Sequence, residues 1–228
     1  MTFFVLLFSM STLDPVKMAQ MGDAMSEATG RLDEKVTKPM ASMNEIKESL
    51  NTIVSETDMK NEATISWDPR GIAVELKGDA SFATGSTELH PKMEQLLDKM
   101  IPELLNNIND LRTVIVEGHS DNQTIAGVLA EKYPTNWELS SARASVVVNK
   151  IIEQSIEFAD KGIIDSEYAD GRISGRLTAA GYADQWPADI GYEERRGGFI
   201  SKEKINKLNS TVELMTKNRR IKIIYSRQ

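Results

Sequence analysis

Thr113-Val114-Ile115-Val116-Glu117-Gly118-His119-Ser120-Asp121-Asn122, followed after a loop by Asn136-Trp137-Glu138-Leu139-Ser140-Ser141-Ala142-Arg143-Ala144, decides the fold of this 228-residue chain. Val114 to Val116 is β-branched throughout, which suits a strand buried on both faces. Gly118 lets the backbone turn, so the polar residues His119 to Asn122 fall just past the strand's end. Thr135, with Glu138 three residues on, forms a capping box for the next helix. The apolar stripe of that helix runs through Ala144, Val147, Val148, Ile151 and Ser155. Arg143 lies about a quarter turn off that stripe, near the helix start. An Asp after a strand and an Arg in the first turns of the following helix converge at one rim. One acid and one guanidinium held together there suit a zwitterionic ligand: Asp accepts from an ammonium, and Arg offers a planar fork that matches a carboxylate.

Two further motifs lie downstream, Leu177-Thr178-Ala179-Ala180-Gly181-Tyr182 and Asn218-Arg219-Arg220-Ile221. With the two stretches above, in that order, they resemble the OmpA-like peptidoglycan-binding domain. Asn136-Trp137-Glu138-Leu139-Ser140 and the long gap between Asp121 and Arg143 resemble its flagellar stator B-subunit (MotB-like) branch. The resemblance runs from about Ile72 to Tyr225. It implies that Asp121 and Arg143 grip the diaminopimelate of a peptidoglycan stem peptide. Asn136 and Leu139 then line the pocket, and Asn122 and His119 belong to its wall. In the Asn218-Arg219-Arg220 motif, Arg220 is expected to add a second basic contact, with Asn218 beside it, while Arg219 faces away along the strand.

The composition narrows the field of partners. Net charge is −7 and the sequence pI is near 5.1, which argues against a nucleic-acid partner. Cysteine is absent, so there is no disulfide framework, no Cys-based metal site and no lipid-modified N-terminal Cys. Two His and no His-Glu-x-x-His spacing give no metal site, and no cofactor is expected. His90, before Pro91, reads as a helix-entry residue. Ser120, Ser140 and Ser141 lie near His119 but outside any nucleophile-elbow context, so the chain is not expected to be an enzyme. Trp137 and Trp186 read as core or rim aromatics.

Toward the N-terminus, Phe3-Phe4-Val5-Leu6-Leu7-Phe8 lies in an apolar stretch half as long as the ~20 residues a helical bilayer crossing needs. It reads either as a buried core element or, by the stator resemblance, as the outer half of a transmembrane helix over residues 1–13. Asp14 and Pro15 start a helix over 14–30 with Met18, Met21 and Met25 on one face. That helix packs on the domain or, by the resemblance, acts as a plug that keeps an ion channel shut; Met suits reversible packing. Residues 31–62 read as a partly helical linker, with Met43, Ile46, Leu50 and Ile53 on one side of a solvated helix.

The domain proper is expected over 63–228. Asp68-Pro69-Arg70-Gly71 makes a hairpin turn between Thr64–Trp67 and Ile72–Lys77. Pro91 starts a helix carrying Met93, Leu96, Leu97, Met100, Leu104 and Ile108, which Pro102 should bend or split. An insertion over about 187–217, with a helix-like Lys202 to Lys217, departs from the resemblance. The expected fold class is α/β: a β-α-β-α-β mixed sheet with two main helices on one face. The expected function is a non-catalytic peptidoglycan anchor of a flagellar stator, single-pass in the bacterial inner membrane with its bulk in the periplasm. A homodimer is implied, with a MotA-like stator A subunit as partner. The alternative is an outer-membrane to cell-wall tether of the same class without a motor role.

Overall fold

The computed structural model describes residues 41–83, 86–106 and 112–226. Residues 1–40, with the expected membrane segment and plug-like helix, lie outside the described residues. Five strands, β1 (Ala63–Asp68), β2 (Gly71–Lys77), β3 (Val114–His119), β4 (Leu177–Gly181) and β5 (Arg220–Ser226), form one sheet in the order β1-β2-β5-β3-β4. β3 and β4 are parallel, and the other neighbours are antiparallel. The mixed α/β sheet is thus as expected, with the last strand inserted at its centre. The helices are α1 (Met43–Ser55), a single turn α2 (Gly78–Ser81), α3 (Pro91–Asn106), α4 (Val128–Lys132), α5 (Asn136–Asp160), α6 (Tyr192–Arg196), α7 (Lys202–Lys207) and α8 (Val212–Asn218).

Strand periodicity sorts the sheet into two faces. Ile72, Val74 and Leu76 of β2, Val114 and Val116 of β3, and Ile221, Ile223 and Tyr225 of β5 point to one side and form the main core with α1, α3 and α5. The Thr135–Glu138 capping box opens α5 as read from the sequence. Pro102 does not end α3: buried Met100, Ile101, Leu104 and Leu105 on either side hold the helix against the sheet.

Two expectations need correction. The segment read as a solvated linker helix belongs to the folded unit. Met43, Ile46 and Leu50 of α1 are buried in the main core, and Met59 beyond it is buried too. Its apolar residues were legible; what they pack against lies further along the chain, in β1, β2 and α3. The helix expected over Lys202 to Lys217 is two helices, since Thr211 caps a fresh start by accepting from the Leu214 N–H at 3.3 Å.

The other face of the sheet is polar yet covered. Glu75, Glu117, His119, Arg220 and Lys222 project there, with Asp68 and Arg70 from the hairpin turn. Glu117 is fully buried; Arg70 donates to it and also to Asp68 at 2.9 Å. Lys222 completes the network at 2.9 Å from Asp68 and 3.1 Å from Glu75. Burial alone would raise the Asp68 pKa, but Arg70 and Lys222 hold it at about 2. Glu117 is likewise held below its usual range against burial, by His119 and Arg70. The lid over this network comes from Trp186 and from Tyr192 in the insertion: Arg70 lies over both rings, and Trp186 donates to the Ile190 carbonyl at 2.8 Å.

Candidate functional site

The site lies at the C-terminal end of β3, where three glycine-dependent approaches bring distant segments together. A Cβ on Gly118 would sit 2.0 Å from the Ser140 carbonyl oxygen, and one on Gly181 would sit 2.2 Å from Ser141 Oγ. Only glycine therefore lets the first turns of α5 rest on the ends of β3 and β4. A Cβ on Gly78 would meet the Arg219 carbonyl at 2.9 Å, so the turn after β2 is pressed against the residue before β5. Ala183 takes a left-handed conformation, φ 51°, fixed by donation of its N–H to Ser140 Oγ and by its carbonyl accepting from the Ser120 N–H.

On this frame Asp121 is buried, with one carboxylate oxygen accepting from the Gln123 N–H at 3.1 Å. Its other oxygen accepts from Arg219 Nη1 at 2.6 Å. Arg219 also donates through Nε and Nη2 to Asp79 at 3.3 and 3.1 Å, and to Thr216 Oγ1 at 2.9 Å. Arg143 is half-buried; Nε and Nη2 donate to the Ser86 carbonyl at 3.3 and 3.0 Å, and its guanidinium lies 5.0 Å from the Phe82 ring centroid. Among the described residues no carboxylate forms an ion pair with Arg143. Burial lowers its pKa, Asp79 and Asp121 raise it and Arg219 lowers it again, so the four charges share one field.

Asp121 and Arg143 therefore stand at one rim, but the second cation is not the one expected. Arg219 points to Asp121, whereas Arg220 is buried on the opposite face. There Arg220 donates to the Trp186 carbonyl at 3.3 Å and lies 3.7 Å from Glu75. The reason is register: Arg220 pairs with His119 and Lys77 and shares the face of Lys222, while Arg219 sits just before the strand.

His119 is likewise no pocket wall. It is buried behind the sheet, stacked on Tyr182 with ring centroids 5.3 Å apart. Burial, and then Arg220, push its pKa down to about 4; Glu117 opposes them from 3.6 Å, a charge contact longer than a hydrogen bond.

Asn218 is buried and ties the insertion to the sheet. It accepts from the Ala188 N–H and donates to the Leu208 carbonyl and Asn209 Oδ1, each at 2.8 Å. Asn136 braces the loop by donating to the Asp121 and Gln123 carbonyls at 3.1 and 2.9 Å. Leu139 is buried one turn further on. Asn122, half-exposed, donates to Asn206 Oδ1 of the insertion at 3.1 Å.

Asp79, Phe82, Ser86 and Thr216 were not singled out from the sequence. Asp79 and Phe82 carried a signal, as a Gly-Asp pair directly after a strand and a lone aromatic amid small polar residues before the Pro91 helix.

Residues 81–191 match the model of the OmpA family, and residues 1–29 match a model described as membrane MotB of the proton-channel complex MotA/MotB. The chain is 30% identical over 237 residues to uncharacterized protein YtxE of Bacillus subtilis, covering 98% of this chain and 82% of that protein. It is 22% identical over 217 residues to motility protein B of the same organism, covering 76% and 81%. Its fold is similar to the crystal structure of a putative MotB-like protein from Desulfovibrio vulgaris: the TM-score is 0.57 at 17% identity, over 82% of this chain and 94% of that one.

Proposed function

The chain belongs to the OmpA family in its MotB-like branch, and on that premise we propose that it anchors a flagellar stator to peptidoglycan, without catalysis. The observation that carries the reading is Arg143: a half-buried guanidinium with no carboxylate partner among the described residues, at the same rim as the buried carboxylate of Asp121. A half-buried cation without a counter-ion favours an incoming carboxylate, and Arg143 Nη1 is left to donate to one. The ammonium on the same carbon falls to Asp121. The diaminopimelate of a stem peptide carries both groups on its distal carbon.

The stator role is the finer part of the proposal. It is supported by the match of residues 1–29 to the MotB model and by the likeness to motility protein B over most of both chains. It entails a place in the inner membrane, a periplasmic domain, a homodimer and a MotA-like partner subunit. A torque generator must push against something fixed, which is the mechanical reason to couple a wall-binding domain to an ion-driven complex.

The test of wall binding is co-sedimentation with purified sacculi. Asp121→Ala and Arg143→Ala should each reduce pelleting at least ~10-fold, given that a charge-assisted hydrogen bond contributes about 1.5–3 kcal/mol, in proteins whose thermal unfolding is unchanged. Undiminished pelleting would overturn the binding claim. Release of soluble muropeptides by the wild type would overturn the claim of no catalysis. For the motor role, affinity capture from membranes should recover a MotA-like subunit, and loss of the gene should abolish swimming. Wall binding with neither result would leave a simple tether.

A further inference from the structure

Arg219 has three partners where the reading above needs one acid and one base. It spans from Asp121, whose side chain is 8% exposed, to Asp79, whose side chain is 63% exposed, and it also reaches Thr216. Along the rim the charges thus run Asp79, Arg219, Asp121, with Arg143 close by and held, among the described residues, by a carbonyl and a ring. In this arrangement the acid meant for a ligand's ammonium is already occupied by a guanidinium.

Building on the proposed wall-binding role, we propose that Arg219 is the specificity-determining residue of this site, an internal counter-ion of Asp121 that favours ligands bearing an ammonium and a carboxylate on one carbon. A ligand with an ammonium alone has to compete with Arg219 for Asp121. It also brings a second cation against that guanidinium and leaves Arg143 without an anion. A ligand with a carboxylate alone meets the buried Asp121. A zwitterion avoids both penalties: its ammonium shares Asp121, and its carboxylate lies between Arg143 and Arg219. Asp79 gives Arg219 a second resting place, so the guanidinium can yield Asp121 without losing all its ion pairing. Both carboxylates raise the Arg219 pKa against the lowering effect of burial, which favours its charged form.

The experiment is calorimetric titration of the full chain with two synthetic stem tripeptides, identical except that the third residue is meso-diaminopimelate or lysine, which lacks the distal carboxylate. The wild type should prefer the diaminopimelate peptide by at least ~10-fold, the scale of one lost charge-assisted contact. Arg219→Gln should shrink that preference at least ~5-fold because the lysine peptide binds more tightly than to the wild type. Asp79→Asn, which removes the second resting place, should widen the preference. These opposite changes are not what a merely structural role would produce.

If Arg219→Gln weakens both peptides by the same factor, or leaves their ratio unchanged, the inference is overturned while the wall-binding role stands. If the wild type binds neither peptide, both fall. Should Arg219→Gln fail to fold, Asp79→Asn with an unchanged ratio is enough to overturn the inference.

Discussion

Adjacent residues at the start of β5 serve two charge clusters on opposite sides of the sheet. Arg219 joins Asp79, Asp121 and Arg143 at a rim that runs from the buried Asp121 to the exposed Asp79, where Arg143 has no carboxylate in an ion pair among the described residues. Arg220 joins Glu75, Glu117, His119 and Lys222 under the Trp186 lid, with Asp68 and Arg70 closing the network at the hairpin turn. On the proposed reading the rim cluster exchanges partners with a ligand. The buried cluster has its carboxylates matched by cations and serves to fix the insertion against the sheet. The lesson is that the number of charges does not mark a functional site. The proposed site rests instead on an unmatched charge that solvent can reach.

The largest expected effect breaks the buried cluster. Glu117→Ala leaves Arg70 without its fully buried carboxylate and should cost about 3–5 kcal/mol of unfolding free energy, read by urea denaturation. Asp121→Ala, by contrast, should cost less than ~1 kcal/mol, because Arg219 keeps Asp79 and stays partly solvated. Equal losses in the two variants would remove the distinction between the clusters.

Next comes acid. The folded-state pKa of His119, about 4, lies below the 6.5 of the free side chain, so the unfolded chain binds more protons between those values. Stability is therefore lost as pH falls through that window, at up to ~1.4 kcal/mol per pH unit and about 3 kcal/mol in all. The groups facing His119 are Glu117 from β3, Arg220 and Lys222 from β5, and the rings of Tyr182 and Trp186. Asp68, held at about 2, adds its own loss only below pH ~4. His119→Phe should flatten the upper part of the curve. A slope unchanged by that substitution would mean His119 is not the group titrating.

A comparable effect sharpens where the domain begins. Leu50→Ala should cost about 2–5 kcal/mol, since its side chain is fully buried in the main core. A cost near zero would return α1 to the status of a linker.

The smallest effect concerns the bridge between insertion and site. Asn206→Ala removes the side-chain hydrogen bond from Asn122 and should change stability by less than ~0.5 kcal/mol, by thermal melt. Sacculus binding should survive. A strong loss of binding would mean that the insertion shapes the pocket.

Much of the frame was legible residue by residue. The β-branched run of β3, the Thr135–Glu138 capping box, the Asp68–Gly71 hairpin turn and the helix from Pro91 are local signals, and each formed where the pattern put it. Asp121 and Arg143 could be brought to one rim because a strand end and the following helix start are neighbours in any such unit. Arg219 and Arg220 could not be told apart in the same way. Two consecutive Arg residues look alike until the pairing of Arg220 with His119 fixes which face each one serves, and that pairing joins segments about a hundred residues apart. For the same reason His119 and Asn218 looked like site residues. They belong to the motifs that carry the resemblance, but their side chains anchor the far face and the insertion.

The sequence by itself determined the α/β class, the strand–helix unit that carries Asp121 and Arg143, and the chemistry of one acid facing one guanidinium. These follow from local periodicity, capping and residue type. Tertiary structure alone decided that α1 belongs to the core, that the insertion closes over a buried charge network, and that Arg219 rather than Arg220 meets Asp121. The physical reason is that burial and face are properties of register between distant strands: a shift of one residue moves a side chain from solvent to the interior.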